Sequence, residues 1–159
     1  MKIVINKCYG GFGLSPKAIQ EWAKLKNREC YFFDNKKNEE KIDFDVYNPI
    51  SLEEAKTSFF FSAFDIPNPN EILKYKKLWG EMTKKEKQKA NNLNRKHSIT
   101  YSDIERTDPD LIAVVEKLGE EADGSCAELK VVEIPDNIEW TIEEYDGQEW
   151  VAEVHETWG

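Results

Sequence analysis

The 159-residue chain carries 31 acidic against 22 basic residues, a formal net charge of -9, and is 40% hydrophobic and 12% aromatic. That excess of acid argues against nucleic acid as a partner of the whole surface, and the aromatic content excludes a disordered acidic tail. The length suits one domain over 1–159, and no apolar run reaches the ~18 residues that a membrane span needs.

Ile3, Val4 and Ile5 form a short apolar run suited to a buried strand. After the glycines of KCYGGFGLSP, Ser15 is a good N-cap and Pro16 fits the first helical position. Ile19, Trp22 and Ala23 then recur at helical spacing, predicting a helix from Pro16 to about Lys26. Cys30-Tyr31-Phe32-Phe33 reads as a second strand, so the N-terminus is expected to be a βαβ unit with a parallel strand pair.

From about 34 to 97 the pattern loosens, and this stretch is read as a variable insertion in the same domain. Ile42, Phe44 and Val46 alternate with Asp43 and Asp45, as in a half-exposed edge strand. Ser51-Leu52-Glu53-Glu54 has capping-box spacing. Phe59-Phe60-Phe61 with Ala63-Phe64 predicts a buried strand, stopped by Pro67-Asn68-Pro69. Asn70 is expected to cap a helix carrying Ile72, Leu73, Tyr75 and Trp79. Thr83-Lys84-Lys85-Glu86 is a second capping box, and its helix has only Ala90 and Leu93 as apolar residues. Such a helix is exposed, mobile, or covered by a partner.

In the last third, Asp108 caps and Pro109 opens a helix with Leu111, Ile112, Val115, Leu118 and Ala122 on its apolar side. Gly124 is the expected left-handed terminator. Leu129 and Val131 alternate with charges in a strand ended by Pro135-Asp136-Asn137. The final IEWTIEEYDGQEWVAEVHETW predicts a hairpin. A three-residue loop, pairing Ile142 with Trp150 and Trp140 with Ala152, gives one clean apolar face and is preferred to a two-residue Asp-Gly turn. It sets Glu143 against Glu149 and Glu139 against Glu153, an opposition that calls for a nearby cation. The fold class is α/β or α+β: a mixed sheet, an N-terminal βαβ unit, two main packing helices and a C-terminal antiparallel hairpin.

Three features bear on function. Between Lys74 and Lys96 nine cations meet two carboxylates, Glu81 and Glu86, a local +7 that leaves -16 elsewhere. This stretch reads as a solvated helix, as a counterweight to the acidic sheet, or as a lysine grip on phosphate with Tyr75 and Trp79 available for stacking. Gly10-Gly11-Phe12-Gly13, between a strand and a helix start, can converge backbone N–H groups on an anion, with Lys7 beside it. The run is neither G-x-G-x-x-G nor a P-loop, so a plain turn competes with a ligand cradle. The resulting candidate ligand set is Lys7, Gly10, Gly11, Phe12, Gly13, Ser15, Tyr75, Trp79 and Arg106.

Chemistry has little support. Cys8 precedes the turn, but a catalytic thiol needs a base, and only His97 and His155 exist. Cys8, Cys30 and Cys126 are scattered, with no C-x-x-C spacing, so neither a zinc site nor any other cofactor is expected, and reduced thiols in a cytoplasmic protein are.

The opening MKIVINKCYGGFGLS, with DPDLIAVVEKLGEEADGSCAELKVVEIPD and the terminal hairpin, resembles a family of small uncharacterised phage proteins. The resemblance covers the first thirty or so residues and the last fifty-five or so. It implies a phage-encoded accessory protein in the bacterial cytoplasm and carries no catalytic residues over. Two functions follow as expectations. One is a non-enzymatic binder that holds a nucleotide-like anionic small molecule, such as a host immune signal. The other is an interaction module that inhibits a host protein through its acidic hairpin face or its basic insertion.

Overall fold

The computed structural model describes residues 1–37, 45–58, 60–72 and 79–154, with the backbone alone at 35–37, 45–46, 72 and 79. In chain order the elements are β1 (Lys2–Asn6), α1 (Pro16–Leu25), β2 (Tyr31–Lys37), β3 (Asp45–Ile50), α2 (Leu52–Thr57), β4 (Ser62–Phe64), α3 (Pro69–Ile72), α4 (Lys84–His97), α5 (Pro109–Leu118), β5 (Leu129–Glu133), β6 (Trp140–Tyr145) and β7 (Gln148–Glu153). The chain is thus a mixed α/β protein with a C-terminal hairpin. It divides into two compact units, one of Met1–Lys26 with Tyr101–Gly159 and one of Asn27–Thr100.

In the first unit β1 pairs antiparallel with β5, Ile3 against Val132 and Ile5 against Lys130. Ile3, Val4 and Ile5 are all buried, as are Ala18, Ile19 and Ala23 of α1 and Leu111, Val114 and Val115 of α5. Ser15 caps α1 through its hydroxyl, which accepts from the Ala18 N–H, and Pro16 follows. Asp108 caps α5 by accepting from the Asp110 and Leu111 N–H groups. The two helices are tied by Lys117 to Glu21 (2.8 Å) and by Lys26 to Asp108 and Asp110 (2.8 and 2.6 Å).

In the second unit β2 is the centre of a three-stranded antiparallel sheet, β3-β2-β4. Phe33 and Phe64 form its core, with Tyr31, Tyr47, Ile66 and Leu93 against them. Both expected capping boxes are present, Ser51 with Glu54 and Thr83 with Glu86. Asp65 fastens the end of α4: it accepts from Arg28 Nη2 (2.9 Å) and bonds His97 Nδ1 (2.9 Å).

Several expectations are corrected. The strand, helix, strand order at the N-terminus exists, but β1 and β2 belong to different sheets and every strand pair among the described residues is antiparallel. Order along the chain does not choose a partner; side-chain fit does, and β2 finds its apolar complement in β3 and β4. Gly119, not Gly124, closes α5 with a positive φ of 56°. Helix α3 starts at Pro69, and Asn70 instead brackets the Tyr47 backbone, accepting from its N–H and donating to its carbonyl. Of the strand expected from Phe59-Phe60-Phe61 with Ala63-Phe64, the described part is Ser62–Phe64, Phe60 is exposed, and Phe59 lies outside the described residues. Ile42 and Phe44 lie outside the described residues, and Val46 falls in β3.

The hairpin also takes the other register. Trp140 faces Glu153, Ile142 faces Val151 and Glu144 faces Glu149, around the two-residue turn Asp146-Gly147. Both turn residues have positive φ, 50° and 85°, the mirror-image turn whose twist matches that of paired strands. One clean apolar face was the wrong criterion, because the face with Trp140, Ile142 and Val151 also carries a buried carboxylate, Glu149.

Candidate functional site

Glu149 is 7% exposed and is the centre of the first unit's polar core. Arg106 reaches it with both guanidinium ends, Nη2 at 2.8 Å and Nη1 at 3.0 Å, and the Asn6 N–H donates to it at 2.8 Å. The Arg106 guanidinium also lies over the Phe12 ring, 3.3 Å from its centroid, which sandwiches the cation between a carboxylate and a π face. Thus the acid-on-acid opposition in the hairpin, Glu144 with Glu149, is relieved by Arg106 of the same unit.

Asn6, fully buried, extends the node. Its amide donates to the Gly147 and Cys8 carbonyls (2.7 and 2.6 Å), and its oxygen accepts from the Glu128 N–H (2.8 Å). Around it the backbones press together. A Cβ on Gly147 would lie 2.4 Å from the Gly11 nitrogen, and one on Gly10 would lie 2.4 Å from the Cys126 carbonyl oxygen. The glycines therefore let the N-terminal loop and the hairpin turn touch main chain to main chain.

The structure brings together seven of the nine residues expected to hold an anion. Lys7, Gly10, Gly11, Phe12, Gly13, Ser15 and Arg106 belong to the first unit, and most have protein partners. Lys7 sends its ammonium toward the Glu149 carbonyl at 3.5 Å, while its own carbonyl accepts from Gln148. Ser15 caps α1 and donates to the Glu121 carbonyl. Gly13 accepts from the Gly124 N–H. Among the described residues, the N–H groups of Gly10, Gly11, Phe12 and Gly13 have no acceptor. Tyr75 lies outside the described residues, and Trp79 belongs to the second unit with its side chain undescribed.

The other side of the hairpin is open. Tyr145 (71% exposed) and Trp150 (40%) project from the face they share with Glu143, whose carboxylate accepts from the Trp150 indole at 2.9 Å. Tyr9, 63% exposed, immediately precedes the glycines that abut the turn. Of the nearby carboxylates, Glu143 shares the face of Tyr145 and Trp150, Asp146 lies in the turn beside Tyr145, Glu139 precedes β6, and Glu144 and Glu153 lie on the opposite face. No Lys or Arg occurs from Val131 to the end of the chain. None of these five carboxylates has a cationic partner among the described residues. The first unit holds 19 acidic and eight basic residues, a net -11. Sequence reasoning missed the buried Glu149 and Asn6, because neither residue type signals burial. It also missed the exposed rings, since a period-two pattern does not say which face packs.

Titrating groups elsewhere serve the scaffold. Hydrogen bonds from Lys117 and Lys24 hold the Glu21 carboxyl down at about 2. Burial pushes Asp108 up, but bonds from Lys26, the Leu111 N–H and Trp22 outweigh it, leaving the group below its ordinary value. Cys8 and His97, weighed as a thiol and base in the sequence without being assigned, belong to different units; His97 pairs with Asp65, and His155 lies outside the described residues. Among the described residues no group of three or more His, Cys, Asp or Glu is arranged to hold a metal ion, and no helix is long and apolar enough to cross a membrane. Comparison with known proteins finds no matching family model, no similar curated protein and no similar solved structure.

Proposed function

We propose that the chain is a phage accessory protein that acts without catalysis, as an interaction module whose acidic hairpin docks on a basic surface of a host protein. The observation that carries this reading is the outward face of the hairpin: Tyr145 and Trp150 exposed beside Glu143, with Tyr9 exposed on the loop that abuts the turn, in a stretch whose carboxylates Glu139, Glu143, Glu144, Asp146 and Glu153 have no cationic partner among the described residues. Aromatic side chains are the usual anchors of protein interfaces, and rim charges steer association and select partners. The node beneath supports the same function, because Arg106, Glu149 and Asn6 fix the hairpin to β1 and present the rings on a rigid base. The test is affinity capture from bacterial extract with wild-type protein and with the Tyr145→Ser/Trp150→Ser variant, over a range of salt. A basic protein retained by the wild type, lost from the variant and released by salt supports the reading; retention unchanged by the variant overturns it.

A second reading has one observation in its favour. The unpaired N–H groups from Gly10 to Gly13 suit a nucleotide-like anion, held without cleavage. A thermal-shift panel of cyclic dinucleotides, ADP-ribose derivatives and mononucleotides tests it, since a ligand at 100 times its Kd adds about 2.7 kcal/mol. Stabilisation lost in Gly11→Val supports this reading, and a flat response removes it.

A further inference from the structure

Among the described residues, helix α4 meets its sheet along one side. Ala90 is buried, Leu93 packs on the Phe33–Phe64 core and His97 pairs with Asp65. At 100° per residue these three positions span one narrow sector, and Lys84, Gln88, Asn91, Asn92 and Arg95 occupy the opposite one. All five of the latter are exposed. Lys85, Lys89 and Lys96, also exposed, run along one flank of that outward strip. No carboxylate of the described residues pairs with Lys84, Lys85, Lys89, Arg95 or Lys96.

The overall charge of -9 hides this surface, because the acid is segregated. The second unit has 14 basic and 12 acidic residues, a net +2, and α4 alone has six cations against Glu86, a net +5. A protein partner is a poor fit, since among its described residues the outward face of α4 offers no apolar or aromatic anchor. A duplex is a good one. Amide side chains such as Gln88, Asn91 and Asn92 can pair bidentately with adenine, Arg95 and Lys84 with guanine, and the lysine flank lies where a groove wall of phosphates would run. An α-helix enters the wide major groove of B-form DNA and is excluded from the narrow one of A-form RNA. We infer that the outward face of α4 is a DNA-contact helix, with Lys85, Lys89 and Lys96 on phosphates and Gln88, Asn92 and Arg95 toward base edges.

The experiment is fluorescence anisotropy of the full chain with a labelled 20-base-pair DNA duplex over a salt series. Three phosphate contacts predict that log K falls against log salt with a slope of about -2.7. Lys85→Gln/Lys89→Gln/Lys96→Gln should flatten the slope to near zero, while Gln88→Ala/Asn92→Ala should keep the slope and narrow the difference between A-rich and G-rich duplexes. All five positions are exposed, and unchanged circular dichroism confirms that the helix persists. No binding at low salt, a slope the lysine variant leaves unchanged, or equal affinity for duplex RNA or polyglutamate would each overturn the inference.

Discussion

Replacing Glu149 by Gln should be among the most damaging conservative substitutions in the protein. The carboxylate is buried and collects three donors: Arg106 Nη1, Arg106 Nη2 and the Asn6 N–H. A glutamine keeps the shape but turns an NH2 toward one of these donors and leaves the guanidinium without its counter-charge. Breaking a well-buried pair from one side costs about 3–5 kcal/mol. The Arg106 side chain is 22% exposed, so water partly compensates, and we expect about 2–4 kcal/mol. For a unit of this size that corresponds to a fall in Tm of roughly 10–20 °C. Arg106→Met should cost a similar amount, and the double variant less than the sum, with a coupling of at least about 1 kcal/mol. Urea unfolding followed by tryptophan fluorescence, with linear extrapolation, measures all four corners of the cycle. Strict additivity, or a Glu149→Gln protein within about 0.5 kcal/mol of wild type, would refute the assignment of this pair as the hairpin's anchor.

Other outcomes follow from single contacts. Gly147→Ala places a Cβ 2.4 Å from the Gly11 nitrogen at φ +85° and should cost about 2 kcal/mol or more by thermal unfolding, whereas Gly80→Ala, with nothing within 4 Å, should stay within about 0.5 kcal/mol. Glu21, lowered to about 2 from 4.5, stabilises the fold above its unfolded value and loses that contribution as pH falls toward 2. Exposure of its lysine partners keeps the effect under ~1 kcal/mol, so Glu21→Gln should slightly flatten the acid limb of the stability profile and 0.5 M salt should mimic it. Thr83→Ala removes the hydroxyl that accepts from the Glu86 N–H and should lower stability of the second unit by about 1 kcal/mol, read as faster amide exchange in the first turn of α4.

Local signals were legible in the sequence where their chemistry is local. Ser15-Pro16, Asp108-Pro109, Ser51 with Glu54 and Thr83 with Glu86 all cap the helices they predict, because a cap is decided within four residues. Pairing was not legible. That β1 joins β5 rather than β2 depends on contacts across more than a hundred residues. The hairpin register turned on Asp146 accepting a left-handed conformation and on Glu149 finding a buried cation, and binary patterning counts any carboxylate as outward. The need for a cation beside the acidic hairpin could be read from the chain, but its supplier could not. The glycines of the opening loop are spaced for close approach to Gly147 and Cys126, which no motif search would reveal.

The central claim, that the hairpin's aromatic end is the docking surface, is tested most directly by side-chain footprinting of the protein bound to the partner it captures. Protection of Tyr9, Tyr145 and Trp150 from hydroxyl-radical oxidation in the complex, with Tyr101 unchanged, is the expected result. Equal oxidation of those three rings in the free and bound protein would contradict it.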